Sequence, residues 1–271
     1  MRLFDAHCHL QDERLLPDIE AVLRRAREAG AAGFACCGSS EADWPRVDAL
    51  AMKHAGVLPY FGLHPWYIRG RSADWIVALE AFLRSRPLAG VGEIGLDHAL
   101  KEFDPSDQLD VFRTQLVLAR ETGRAASIHC RRAWGNLLDV LREVGAMSSG
   151  FVVHSYSGSR ELIPELIRLG GSLSFSGSIT YPSNRRGRES AATVPPDRLL
   201  IETDAPDIPP FGVDPETANE PMNLALVLRA LAEIRQTSPE ALAKHLWENS
   251  TRLFGKRDAR GALADERGTM P

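Results

Sequence analysis

Several features that would define other classes of protein are absent from this sequence. The chain has only four cysteines, with neither a C-x-x-C pair nor the spacing of a disulfide framework. No apolar run approaches the roughly 18 residues of a membrane span, and the N-terminus lacks the roughly 7–15 apolar residues of a signal peptide. We therefore expect a reducing, cytoplasmic setting without membrane association, and the sequence indicates no protein partner.

An excess of charge of one sign is also absent. The 271 residues carry 32 basic and 36 acidic side chains, which gives a formal net charge of −4, and 44% of residues are hydrophobic. These values are typical of globular domains and exclude disordered tails and proteins that coat nucleic acid with basic charge. A local basic patch is still compatible with them.

Short apolar runs alternate with longer amphipathic segments along the chain. The runs are bounded by Gly, Pro, Asp or Ser, which is typical of buried parallel strands. The eight predicted strands are Leu3–Leu10, Ala31–Gly38, Val57–Leu63, Leu88–Leu96, Ala125–Cys130, Phe151–Tyr156, Gly171–Ser176 and Leu199–Glu202. Helical spacing of apolar residues predicts helices that include Pro17–Gly30, Ser106–Gly123, Pro221–Arg235 and Pro239–Leu253.

This alternation predicts an α/β fold, a (β/α)8 TIM-like barrel that forms a single domain over residues 1–255. An open doubly wound sheet is the alternative, because periodicity alone does not show whether a sheet closes. Residues 256–271 are polar and charged, and we expect them to form a frayed tail.

Histidines and acids are concentrated where the predicted strands end. The first strand ends in His7-Cys8-His9, and residues i and i+2 of a strand share a side, so both imidazoles can chelate one divalent ion. The other such residues at strand ends are Glu93, His129, His154 and Asp204. Each alone could be a satisfied core residue. Together they predict a His/carboxylate site for Mg²⁺, Mn²⁺ or Zn²⁺ at the barrel mouth, able to hold two ions bridged by a carboxylate.

The remaining histidines and the cysteines are interpreted from their places in the pattern. His64, which follows the third strand, faces the same mouth and is predicted to contact substrate, with turn stabilisation as the alternative. The four cysteines, which we expect to be buried and structural rather than ligands, are Cys8, Cys36, Cys37 and Cys130.

Eight short motifs are spread over nearly the whole chain. They are Phe4–Leu10, Gly62–Pro65, Gly92–Asp97, Ile128–Arg131, His154–Gly158, Glu202–Pro206, Asn219–Pro221 and Asn249–Phe254. In combination they resemble the TatD family of metal-dependent deoxyribonucleases, within the amidohydrolase-like metal hydrolases. The resemblance implies a TIM-like barrel and metal-dependent phosphodiester hydrolysis, often from the 3′ end of single-stranded DNA. It also implies two ions, the first held by His7, His9, Glu93 and Asp204, and the second by Glu93, His129 and His154.

Two segments depart from the pattern of that family. Arg131-Arg132-Ala133 carries a second arginine where the family usually has an acid, and Asp214–Ala218 is acidic where a basic cluster is usual. Arg185 and Arg186, on a predicted loop after the seventh strand, are therefore expected to contact substrate phosphates. A solvated loop face is the alternative.

These features predict a two-metal hydrolase of single-stranded DNA or DNA 3′ ends. Asp204 is predicted to be the general base beside the bridging Glu93, and Arg131 to bind a phosphate oxygen. The aromatic residues considered for base stacking are Trp66, Tyr67, Trp134 and Tyr156.

Two other functions fit the same residues. One is hydrolysis of a small cyclic amide, lactone or other ester, although related barrels of that kind often bridge their ions with a modified lysine. This chain has Glu93 in that place and no lysine between Lys53 and Lys101, which favours the nuclease. The other is a metal-binding scaffold without turnover.

Overall fold

Eight strands and the helices that connect them account for most of the chain. The computed structural model describes residues 1–255, so the predicted tail at 256–271 lies outside the described residues. The strands are β1 (Leu3–Cys8), β2 (Ala31–Cys37), β3 (Val57–Phe61), β4 (Gly90–Asp97), β5 (Ala126–Arg131), β6 (Phe151–Val153), β7 (Gly171–Phe175) and β8 (Leu199–Ile201). The α-helices are α1 (Ile19–Glu28), α2 (Trp44–Lys53), α3 (Trp75–Ser85), α4 (Pro105–Glu121), α5 (Trp134–Val144), α6 (Ile163–Arg168), α7 (Arg185–Thr193), α8 (Leu224–Ile234) and α9 (Pro239–Phe254).

The strands form one sheet in chain order, and each pairs with the next in parallel. The chain that follows β8 returns to the end of β1. There the Asp204 N–H donates to the His7 carbonyl at 3.0 Å, and the His9 N–H donates to the Ala205 carbonyl at 2.7 Å. This contact confirms the barrel and excludes the open sheet.

Amphipathic helices cover the outside of the barrel. In α1, Ile19, Val22, Leu23 and Ala26 are buried on one face, as their spacing predicts. Gly30 has a φ of 99°, a left-handed conformation that ends the segment at the predicted residue. Within residues 1–255, no helix is both long and apolar enough to cross a membrane.

Several strands end earlier than predicted, at the mouth of the barrel. β1 ends before His9 and β6 before His154, so these two residues lie in loops rather than in the predicted strands, and β8 ends at Ile201, one residue before its predicted end. Asp204 has a φ of 56° and Ser155 a φ of 42°. Such left-handed backbone is incompatible with a continuing strand and turns the chain at the point where these side chains are presented.

The segment after β7 also differs from its prediction. Arg185 and Arg186 do not lie on a loop but begin α7. The side chain of Asn184 accepts a hydrogen bond from the Gly187 N–H at 3.0 Å and therefore acts as the N-cap that starts this helix.

A second core cluster lies toward the amino ends of the strands, away from the mouth. The rings of Phe4 and Phe254 stack with centroids 4.8 Å apart, and Tyr60 packs edge-on to Phe254 at 5.8 Å. A Cβ on Gly33 would lie 2.3 Å from the Phe4 ring, and one on Gly90 would lie 1.9 Å from the Tyr60 ring. Glycine at both positions therefore makes room for the rings that join α9 to the barrel.

Candidate metal centre

The predicted ligands converge at the carboxyl ends of the strands. A cleft of about 1050 Å³ opens there, and five of the six predicted ligands line it. They are His9, Glu93, His129, His154 and Asp204. The sixth, His7, is fully buried beside them.

Glu93 lies at the centre of this group, and its two carboxylate oxygens face different partners. Oε2 lies 3.4 Å from His7 Nε2 and 3.3 Å from His9 Nε2. Oε1 lies 3.1 Å from His129 Nδ1 and 2.7 Å from His154 Nε2. One buried carboxylate thus separates two sets of imidazole nitrogens.

Asp204 completes the first of these sets. Its Oδ1 lies 3.6 Å from His7 Nε2 and 3.7 Å from His9 Nε2, and those two nitrogens are 3.2 Å apart. Ligands about 2.0–2.2 Å from one ion in a tetrahedral site lie roughly 3–4 Å from one another. The spacing of the three side chains therefore fits a shared divalent ion.

Hydrogen bonds fix which nitrogen of His9 is free to bind a metal. His9 Nδ1 lies 2.7 Å from the Cys37 carbonyl oxygen, which only accepts, so Nδ1 carries the proton. The lone pair of Nε2 then points at Glu93 Oε2. Two electron-rich atoms in this arrangement repel each other unless a proton or a metal ion lies between them.

The other imidazoles each have a polar side chain from another strand, or from the end of one, beside the ring nitrogen that faces away from Glu93. His154 Nδ1 lies 3.4 Å from Glu202 Oε1, and His129 Nε2 lies 3.4 Å from Asp97 Oδ2. A carboxylate beside one ring nitrogen keeps the proton there and leaves the opposite nitrogen for the metal. His7 Nδ1 has a hydroxyl partner instead, Ser127 Oγ at 2.8 Å.

Asp97, Glu202 and Ser127 are not among the residues predicted from the sequence to form the site. A signal for them is present, because each lies an even number of residues from a predicted ligand: Asp97 after Glu93, Glu202 before Asp204, and Ser127 before His129. Even spacing along an extended chain places side chains on one side. The spacing does not show which imidazole each of these residues contacts.

The electrostatic field at the centre favours positive charge. Burial alone would raise the pKa of Glu93, but the neighbouring imidazoles, led by His64, hold it well below its ordinary value. Burial likewise opposes protonation of His9, yet the carboxylates of Glu93 and Asp204 raise its pKa to about 9. A site that attracts a proton in this way also attracts a metal cation.

His64 differs from the other histidines of the centre. Its Nδ1 accepts a hydrogen bond from the Trp66 N–H at 3.2 Å, so the proton of the neutral ring is on Nε2. That nitrogen lies 3.4 Å from Glu93 Oε1, and burial lowers the pKa of His64 to about 3. In this tautomer the protonated Nε2 faces Glu93, although the donor atoms of His64, Glu93 and His129 also lie close enough to one another for one ion.

The predicted phosphate-binding arginines lie at different distances from the centre. Arg131 lines the cleft with its side chain more than half exposed, and its Nη1 lies 4.0 Å from Asp97 Oδ2. Arg185 and Arg186 are exposed on the first turn of α7 and are not among the residues that line the cleft. Asn184, which precedes them, does line it.

The four aromatic residues considered for stacking also separate. Trp66 and Tyr67 line the cleft and are 52% and 48% exposed. Tyr156 lines it as well but is only 2% exposed, and its hydroxyl donates to the Ser159 carbonyl at 2.7 Å. Trp134 packs edge-on to Tyr156, with ring centroids 5.1 Å apart. Only the first two therefore offer a ring face to a ligand.

The four cysteines are buried and unpaired, in agreement with their predicted structural role. Burial raises the pKa of Cys36 and of Cys130 to about 12, so both remain thiols rather than thiolates near neutral pH. Thiols are poor metal ligands, which leaves the imidazoles and carboxylates as the ligand set.

Comparison with known proteins gives the family of this chain. Residues 4–255 match the family model described as TatD related DNase. The chain belongs to this family. The Escherichia coli metal-dependent hydrolase YjjV is 32% identical over 93% of this chain and 98% of its own length, and its crystal structure superposes with a TM-score of 0.86. The 3′-5′ ssDNA/RNA exonuclease TatD of Erwinia billingiae is 31% identical over 93% of this chain and 98% of its own length.

Membership in the TatD family confirms several predictions made from the sequence. The TatD-family structure from Entamoeba histolytica, 22% identical over 93% of this chain and 98% of its own, shares the fold with a TM-score of 0.82. The protein is a metal-dependent hydrolase of the TatD family and acts on ester bonds. The scaffold without turnover is therefore the wrong alternative.

Proposed function

We propose that this TatD-family enzyme hydrolyses phosphodiester bonds of single-stranded DNA from the 3′ end, with two divalent ions at the barrel mouth. The observation that carries the proposal is the placement of Glu93, whose two oxygens face two separate sets of imidazoles. The Erwinia billingiae relative, named for exonuclease activity on single-stranded DNA and RNA, supports the class of substrate.

The family resemblance assigns the first ion to His7, His9, Glu93 and Asp204 and the second to Glu93, His129 and His154, and we propose the same division here. The donor atoms of His7, His9 and Asp204 lie close enough for one ion, and so do those of His7, Glu93 and His154. Divalent ions in such a site supply Lewis acidity, which neutralises charge on the phosphoryl oxygens and favours deprotonation of water. The mixed nitrogen and oxygen donors suit Mg²⁺, Mn²⁺ or Zn²⁺.

The side chains of the chain itself supply proton transfer and substrate binding. Asp204, which lines the cleft, accepts the proton of the attacking water at its carboxylate. His64 donates from Nε2 and keeps the Glu93 carboxylate oriented. Arg131, exposed at the mouth, binds a non-bridging phosphate oxygen through its planar guanidinium.

Arg185 and Arg186 are assigned to the part of the DNA strand that lies outside the cleft. Their exposed position on the first turn of α7, directly after Asn184 of the cleft wall, suits phosphates of a strand that extends beyond the cleaved bond. We further propose a reducing, cytoplasmic setting, which the four unpaired cysteine thiols support.

Removal and return of metal tests the proposed function. The protein is stripped with EDTA and dialysed, then supplied with Mg²⁺, Mn²⁺ or Zn²⁺ and a 5′-labelled single-stranded oligonucleotide. We expect stripping to abolish hydrolysis, and one of the ions to restore shortening of the strand from its 3′ end. Metal analysis of the active protein should give two ions per chain.

Matched substrates separate this function from its competitors. A circular single strand, which has no end, should remain intact, whereas an RNA of the same sequence tests the second polymer named for the relative. Cleavage of the circle, or restored activity toward lactones or dihydropyrimidines but not DNA, would contradict the proposal. A single bound ion in the active protein would contradict the two-metal arrangement.

A further inference from the structure

Trp66 is a half-exposed aromatic side chain of the cleft wall, and a hydrogen bond fixes the orientation of its ring. The side chain lines the cleft and is 52% exposed. Its Nε1–H donates to Oδ2 of Asp97 at 2.7 Å, and Asp97 is fully buried. A hydrogen bond to a buried carboxylate is strong and directional, so the indole is held in one orientation although half of it is exposed.

Asp97 also contacts two other residues of the proposed active site, and this places the indole beside them. The same Oδ2 lies 3.4 Å from Nε2 of His129, a proposed metal ligand, and 4.0 Å from Nη1 of Arg131. On its other side the Trp66 ring meets the His64 ring edge-on, with centroids 5.1 Å apart. The indole therefore adjoins both the ion site and the guanidinium that we assign to a phosphate oxygen.

A nucleotide has two groups, a phosphate and a base, that match the guanidinium and the indole and lie a short distance from each other. Its phosphate is an anion suited to a guanidinium and to metal ions, and its base is a flat ring that stacks on aromatic side chains. Tyr67, the other half-exposed ring of the cleft, lies farther from the His64 ring than Trp66 does, with centroids 6.1 Å apart. Trp66 is thus the better placed of the two.

We propose that Trp66 binds the base of the terminal nucleotide by stacking, and that it makes the enzyme favour substrates with an aromatic base beside the scissile phosphodiester. This assignment rests on the proposed function. A ring that is already oriented loses little conformational freedom when the base binds, so the contact contributes fully to affinity.

The test combines loss of the indole with loss of the base. Wild type, Trp66→Ala and Trp66→Phe are compared, in the metal-loaded protein, on two single-stranded oligonucleotides that differ only in an abasic 3′-terminal residue. With the normal substrate, Trp66→Ala should raise KM by about 5- to 150-fold, the range measured for one stacked base, with a smaller change in kcat. With the abasic substrate, wild type and Trp66→Ala should have similar KM values. Trp66→Phe should retain most of the wild-type affinity.

A fluorescence measurement detects stacking directly and does not depend on turnover. An oligonucleotide that ends in 2-aminopurine should show rapid fluorescence quenching on mixing with wild type, before hydrolysis begins, and Trp66→Ala should lose this phase. Phe211→Ala is the matched control, because Phe211 is 62% exposed but does not line the cleft, and its KM should stay within about twofold of wild type.

The outcomes distinguish the two proposals. If wild type hydrolyses DNA but Trp66→Ala affects both oligonucleotides equally and lowers kcat, Trp66 only positions Asp97 and the stacking assignment fails. The same conclusion follows if Trp66→Phe is as impaired as Trp66→Ala. If wild type hydrolyses neither oligonucleotide with any of the ions, the proposed function itself fails, and the assignment fails with it.

Discussion

The imidazoles of the metal centre owe their orientation to single residues behind them. Glu202 is the clearest of these, because it is fully buried and contributes both oxygens. Oε1 accepts from the Ser155 N–H at 2.6 Å and lies 3.4 Å from His154 Nδ1, while Oε2 accepts from the hydroxyl of Ser174. The carboxylate thereby joins the loop after β6 to β7, and its negative charge favours a proton on Nδ1 of His154, a proposed ligand.

Glu202→Gln should therefore weaken metal binding without removing a ligand. We expect a 10- to 100-fold loss of metal affinity, the usual consequence of removing such a partner, because the amide no longer favours a proton on His154 Nδ1. Calorimetric titration of the metal-free protein measures this. Glu189→Gln, an exposed site on α7, is the control, and equal affinities in the two variants would contradict the assigned role.

Among the elements, α7 differs most from what its sequence suggested. Its first turn is rich in arginine, which resembles a solvated loop, but the Asn184 cap converts the segment into a helix. The helix places Arg185 and Arg186 next to Asn184, which lines the cleft, although neither arginine lines it. We therefore expect them to contact only a substrate that extends past the cleft.

The double variant Arg185→Ala/Arg186→Ala should impair hydrolysis of long strands selectively. We expect a higher KM for an oligonucleotide of ten or more residues and an unchanged KM for a dinucleotide. The slope of log KM against log salt concentration should fall by at most about 1.4, because each single-strand phosphate contact contributes about 0.7. Arg84→Ala, on the exposed face of α3, is the control. An equal effect on the dinucleotide would place these arginines nearer the reaction than we propose.

At the scale of the whole molecule, stability and chemistry are separated along the strands. The candidate metal centre lies at their carboxyl ends, whereas α9 packs Phe254 on Phe4 toward their amino ends. This division is the general rule in barrels of this kind, where the loops at one face carry the chemistry. Changes at the two ends should accordingly have different consequences.

Phe254→Ala should destabilise the protein and leave its catalysis intact. Loss of a ring that is 6% exposed should lower the free energy of unfolding by about 3–5 kcal/mol, because a cavity remains beside Phe4. Urea denaturation measures this, and kcat measured well below the transition should match wild type. Leu88→Ala, at a residue 45% exposed, should change stability by no more than about 0.5 kcal/mol. A lower kcat with unchanged stability would contradict this separation.

The acidic net charge of the whole molecule is compatible with the proposed nucleic-acid substrate. Arg14, on the cleft wall, is paired with Asp12 and Asp207 at 2.9 Å, so its charge is already compensated. Arg131 is the more accessible cation at the mouth. A chain of net charge −4 can therefore bind a strand end through ions and a few arginines, with modest affinity for polymer.

Much of the fold and of the ligand set could be predicted from local pattern. Strand and helix order follows from hydrophobic periodicity, and the pair His7 and His9 follows from a spacing of two. The end of β6 could not be predicted, because the left-handed conformation of Ser155, which turns the chain there, depends on contacts made at the mouth. Apolar pattern carries no signal for such turns.

Spacing along the chain is enough to predict that eight strand–helix units alternate, and that histidines and acids occur where the strands end. Spacing does not predict the partner of each atom: that Glu93 faces two sets of imidazoles, that His64 Nε2 faces Glu93, and that the Trp66 indole is hydrogen-bonded to Asp97. The reason is physical: which atom of a side chain is protonated or free depends on its nearest partner, and here those partners come from other strands or from the surrounding loops.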